Sequence, residues 1–165
     1  MLYLLGANVL IDANRDYYPI ERVPEFWEWL EAAGNSNNAK IPREVYEEIS
    51  DGNDELAKWL KHDSIKTALI LEEEAEVPLV SHVVDEGYAS DLTDDEVEKI
   101  GRDPFLIAYA LRNPGERFVV TTEVSKPKRQ RANRHLPDVC KDLKVRCCNT
   151  FEFVRALNFS TRWKS

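Results

Sequence analysis

Hydrophobic and polar positions along the chain alternate between short apolar runs and helical stripes. Leu2 to Leu5 is an unbroken run of four, the length of a buried parallel strand, and it stops at Gly6. Phe118-Val-Val-Thr121 repeats the pattern, while Ala39-Lys-Ile41 and Val145 to Cys148 are shorter candidates. Between these runs the spacing becomes helical. Asn8 to Arg15 forms a short helix. Pro24 opens a second one that buries Phe26, Trp27 and Leu30 and stops at Gly34. Arg43 to Ile49 puts Val45 and Ile49 on one face, with Glu48 beside it. Asp54 to Trp59 begins a further helix. Ile65 to Leu71 suits strand or helix, and residues 72–88 read as a helix disturbed near Pro78. Thr93-Asp-Asp-Glu96 is a capping box for a helix closed by Gly101. Pro104 to Arg112, Leu136 to Leu143 and Thr150 to Leu157 complete the helical set. This order predicts one α/β domain over residues 1–165, with a mainly parallel sheet of four or five strands and helices on both faces.

Composition narrows the class. Hydrophobic residues make up 43% of the chain and charged residues 32%, the balance of a folded domain with a proper core. No apolar stretch approaches the roughly 18 residues of a membrane span, and the N-terminus lacks a basic leader, so the expectation is a cytoplasmic protein with no membrane partner. Cys140, Cys147 and Cys148 match no zinc spacing and read as core thiols. The net charge of −8 is unevenly spread. Residues 1–123 hold 27 acidic and 11 basic side chains, against 3 and 11 in residues 124–165, a split of −16 and +8. The basic tail can therefore form a positive face on an acidic body.

In a parallel sheet, ligands gather at the carboxyl ends of the strands. The loop after Leu5, the helix start at Asp103 and Glu123 just past the Phe118 strand share that edge, and Glu48 follows the second strand. Converging carboxylates suit Mg²⁺ or Mn²⁺. Each acid also has a plainer role. Asp103 before a proline makes a good helix cap, Glu48 can pair with a nearby cation, and Glu123 can be a loop charge.

Taken together, these segments resemble the PIN-domain nucleases, in particular the toxin-like branch that includes the VapC ribonucleases. Leu4-Leu-Gly-Ala-Asn8-Val-Leu-Ile-Asp12 looks like that family's opening motif. Ile41-Pro-Arg-Glu-Val-Tyr-Glu-Glu48-Ile-Ser-Asp-Gly52 looks like its second. Asp103-Pro-Phe-Leu-Ile-Ala-Tyr-Ala-Leu111 looks like its third, and Val119-Val-Thr-Thr-Glu123 its fourth. The resemblance implies a three-layer α/β/α domain whose acidic pocket binds Mg²⁺ or Mn²⁺ and cuts RNA. Glu48, Asp103 and Glu123 would be the metal ligands, with Asn8 as a further catalytic residue orienting an acid or a metal-bound water. Glu44, one turn before Glu48, is the alternative second acid, and Thr121 would support Glu123 through its hydroxyl. Lys126, Lys128, Arg129, Arg131 and Arg134 would grip the RNA backbone, or else meet a protein antitoxin. The resemblance further implies an antitoxin partner and a possible homodimer.

One position departs from the pattern: Gly6 stands where the family carries its leading aspartate. Asn8 is neutral, and Asp12 lies about a helical turn further on, so neither replaces it. The expectation is a disabled or weakened ribonuclease. The competing class is a non-catalytic module that binds RNA or protein. A nucleotide-binding or phosphatase-like domain is disfavoured because no glycine-rich phosphate loop follows the first strand.

Overall fold

The computed structural model describes residues 1–165. Four parallel strands form the sheet, β1 (Leu2–Leu5), β2 (Ala39–Lys40), β3 (Arg117–Val120) and β4 (Arg146–Cys148), in the order β2-β1-β3-β4. β1 sits inside the sheet because Leu4 and Leu5 have no polar face to show water. Both are fully buried, and β1 pairs residue for residue with β3 from Leu2–Arg117 to Leu5–Val120. Ile41 and Ile70 add an isolated parallel bridge beyond β2.

After β1 come α1 (Ala7–Asp12), a π-helical turn over Ala13–Tyr17, and α2 (Pro24–Asn35). The segment between β2 and β3 carries α3 (Arg43–Ser50), α4 (Glu55–Leu60), α5 (Asp63–Leu69), α6 (Val77–His82), a second π-helical turn (Val83–Tyr88), α7 (Asp94–Ile100) and α8 (Asp103–Leu111). A 3₁₀ turn at Arg131–Asn133, then α9 (Leu136–Asp142) and α10 (Thr150–Ala156), complete the chain. The result is a three-layer α/β/α fold. α8 packs on β1 and β3, with α9 against β4. On the other face Tyr3 of β1 reaches Phe153 of α10 at 5.3 Å, and Phe153 meets Trp29 of α2 at 5.5 Å.

Phe26, Trp27 and Leu30 are core residues, as their helical spacing suggested, and Trp29 and Phe153 join them. The Trp27 indole N–H donates to the Tyr18 carbonyl at 2.7 Å, which satisfies the one polar atom of a buried ring. All three cysteines are free thiols, two of them buried. No helix is long and apolar enough to cross a membrane.

One open choice is decided by the fold and one expectation is corrected. Residues 65–71 are mostly helix: α5 runs to Leu69, and only Ile70 makes a bridge. Residues 72–76 are not helical, because five clustered acidic and small residues offer no apolar stripe to pack. Pro78 starts α6 rather than disturbing it, since proline lacks only an amide hydrogen that the first turn does not use.

Candidate active site

Position 6 begins the site. β1 ends at Leu5, and the Gly6 amide donates to the Val120 carbonyl at 3.1 Å, extending the β1–β3 ladder one step. Gly6 then heads α1 with φ −75° and ψ 160°, an ordinary extended conformation that any residue adopts. The backbone therefore does not demand glycine here. Space is tighter: a β-carbon would lie 3.2 Å from the Val120 oxygen and 3.3 Å from Leu106 Cδ2.

At the carboxyl edge of the sheet, one cleft of about 160 Å³ is lined by Gly6, Asn8, Glu48, Asp103, Thr121 and Glu123, among others. Asn8, Glu48, Asp103 and Glu123 arrive on four separate segments. Asn8 lies exposed in the first turn of α1, and Glu48 is exposed on α3. Asp103 is the first residue of α8, where Arg102 occupies the cap position and no side chain makes a capping hydrogen bond. The plainer role of Asp103 as a helix cap is thus absent. Burial, then the nearby Glu123 and Glu48 carboxylates, push Asp103 up to about 7. Burial is the main cause of that lift, and the two neighbouring carboxylates add to it.

Glu123 lies just beyond β3. Its amide donates to Thr121 Oγ1 at 3.1 Å, so the hydroxyl does support it. One carboxylate oxygen also accepts the Leu136 amide at 2.6 Å, joining the end of β3 to the start of α9. Glu123 is therefore not a free loop charge. Glu44 belongs elsewhere: the Tyr109 hydroxyl donates to it at 3.0 Å, and it does not line the cleft, whereas Glu48 does. Asp12 pairs with Arg15 at 3.0 Å and also stands outside. No three acidic, histidine or cysteine groups stand at the spacing of a ready-made ion site.

The basic segment is only partly available. Arg131 binds Glu96 through two nitrogens at 3.0 and 2.9 Å, and Asp91 at 2.8 Å. Arg134 donates to the Gly87 carbonyl and to Asp142, each at 2.6 Å. Their guanidinium groups hold the segment onto α7, α9 and the second π-helical turn. Of the five cations expected to grip RNA, Arg131 and Arg134 are thus engaged within the chain, whereas Lys126, Lys128 and Arg129 are exposed. The reason is the acidic body, which supplies carboxylates within reach of the two arginines.

Two cleft residues had escaped the sequence reading. Lys99, in the last turn of α7, lines the acidic cleft and an adjoining one, and its ammonium donates to Asn133. Its place four residues before Asp103 was the available signal. Tyr88 is buried and lines that adjoining cleft with Asp103 and Glu123. Burial, then Asp103 and Glu123, hold its hydroxyl far above the ordinary range. No local pattern marks Tyr88, because its neighbours come from distant parts of the chain.

A family model described as a domain of unknown function, DUF4411, matches residues 3–161. No curated protein matches the chain, and neither does any solved structure.

Proposed function

We propose that this chain, which belongs to the DUF4411 family, is a metal-dependent endoribonuclease of the PIN type, hydrolysing RNA phosphodiesters as the toxin of a toxin–antitoxin pair and weakened by Gly6. One observation carries the reading: Asn8, Glu48, Asp103 and Glu123, from four separate segments, line one cleft beside Gly6.

The donor chemistry fits a hard dication. The side-chain set is rich in carboxylate oxygen, and a bound cation would offset the burial and the neighbouring carboxylates that raise Asp103. In this reading Glu48, Asp103 and Glu123 hold Mg²⁺ or Mn²⁺, which supplies Lewis acidity at the phosphate and an acidified water. The Asn8 amide, exposed at the mouth, orients the water or a phosphate oxygen. The Thr121 hydroxyl fixes the backbone that carries Glu123. Lys126, Lys128 and Arg129 meet flanking phosphates, and the weakened donor set comes from the missing carboxylate at position 6.

The direct test is Gly6→Asp, assayed for Mn²⁺-dependent RNA cleavage. Removing even a supporting group at a metal site costs about 10–100-fold, so restoring a carboxylate should raise cleavage by at least about tenfold. Leu106 must yield a few tenths of an ångström for the new β-carbon, so Gly6→Asp is also made with Leu106→Val. A folded double variant with no gain in cleavage refutes the nuclease reading. It would favour a non-catalytic RNA- or protein-binding module, to which the close packing around Gly6 also lends support.

A further inference from the structure

We infer that the large cavity beside the acidic cleft is a base-binding subsite, which takes an unpaired RNA base next to the phosphodiester held at Asp103 and Glu123. The inference rests on the nuclease reading of the cleft and adds what that reading lacks, a place for the rest of the nucleotide.

Size makes the first argument. The acidic cleft is about 160 Å³, whereas ligand pockets run from roughly 300 to 1,000 Å³. A phosphate with an ion fits such a cleft, but a nucleoside does not. The adjoining cavity is about 690 Å³ and shares Thr121 and Glu123 as a common wall. A nucleotide whose phosphate lies in the smaller space therefore has room for its base in the larger.

Chemistry makes the second. Tyr17 and Phe151 line this cavity and are each 42% exposed, whereas Phe26, Trp27, Trp29 and Phe153 of the aromatic core are buried. They meet edge to face at 5.1 Å and 69°, which leaves ring face open to a planar ligand. Base–aromatic stacking needs such a platform and tolerates any base. Several acidic groups at the rim are already engaged. Asp138 accepts from the Ser125 hydroxyl and the Lys126 amide, and Asn149 and Glu152 cap α10 reciprocally. The Thr150 hydroxyl is the one buried side-chain polar atom without a partner, and Thr150 belongs to the same wall. Lys141 stands exposed at the rim, placed for a neighbouring phosphate.

The test measures binding without cleavage. Fluorescence anisotropy in EDTA compares a labelled hexaribonucleotide with an abasic oligomer of the same length and charge. The unaltered chain should prefer the base-bearing oligomer. Phe151→Ala and Tyr17→Ala should each weaken that preference by about 5- to 150-fold, the usual worth of a base–aromatic stack, and leave abasic binding unchanged. Phe151→Leu keeps the apolar packing and removes the ring, so its loss of preference separates stacking from unfolding. Equal affinity of the unaltered chain for the two oligomers overturns the subsite. So does a preference that survives in all three folded variants, which leaves the cavity to a protein ligand. Because no bond is broken, the subsite can fail here while Gly6→Asp still cleaves, and it can stand if Gly6→Asp is inert.

Discussion

Asp103→Asn offers the cleanest test of the acidic cleft as a physical object, independent of any activity. In the fold Asp103 is pushed up to about 7 by burial and by Glu123 and Glu48, against an ordinary value of 3.8. The folded state thus holds this proton more tightly than the unfolded chain. As pH rises from about 4 to about 7 the unfolded chain gives up its proton first, and stability falls across that window. A lift of about three units corresponds to about 4 kcal/mol at most. Screening through the open mouth of the cleft reduces this to about 2 kcal/mol. Asn is nearly isosteric and stays neutral at every pH. The two proteins should therefore be about equally stable near pH 4, and the variant about 2 kcal/mol more stable at pH 8. Urea denaturation in EDTA at half-unit steps from pH 4 to 8 measures the difference directly. Comparing the two chains cancels every other titrating group that the substitution leaves alone. A difference that does not change with pH, or a variant less stable at pH 8, refutes the claim that the cleft buries Asp103 beside other acids.

Two further substitutions probe the frame of the site. A β-carbon at Gly34 would lie 2.5 Å from the Ala68 backbone oxygen, where α2 crosses α5. Gly34→Ala should therefore cost at least the about 1–3 kcal/mol of overpacking, seen as a lowered Tm, and an unchanged Tm would refute that contact. Glu123→Ala strands the Leu136 amide and should cost about 1–3 kcal/mol. Glu123→Gln keeps a carbonyl acceptor, so it should retain stability and lose Mn²⁺ affinity by calorimetry. Equal stability of the two variants would show that the Leu136 bond contributes nothing.

The fold was readable wherever local signals agreed with one another. The Leu2–Leu5 run, the capping box at Thr93 and the proline starts at Pro24 and Pro104 each express a preference of neighbouring residues, and each appears in the structure. Over residues 65–76 the pattern was less legible, because short apolar groups and an acidic run carry no clear period, whereas 77–88 is helical as expected. There the bridge of Ile70 to Ile41 depends on β2, far away in the chain. The acids were legible as types at strand ends and helix starts, yet Glu44 and Glu48 could not be told apart. Both lie on α3 one turn apart, and what separates them is Tyr109, a partner brought in by α8.

The sequence by itself determined the alternation of strands and helices, the burial of β1 and the absence of an acid at position 6. These depend on side-chain chemistry and on spacing within a few residues. Tertiary structure alone decided which charges remain free. Arg131 and Arg134 read as ligand-binding cations until the acidic body closed on them, while Asp103 could be read as a ligand or as a helix cap until the fold buried it near Glu123 and Glu48. The room left around Gly6 was settled the same way, by Val120 and Leu106 arriving from β3 and α8. Charge pairing, desolvation and steric clearance are properties of groups that meet only when the chain has folded.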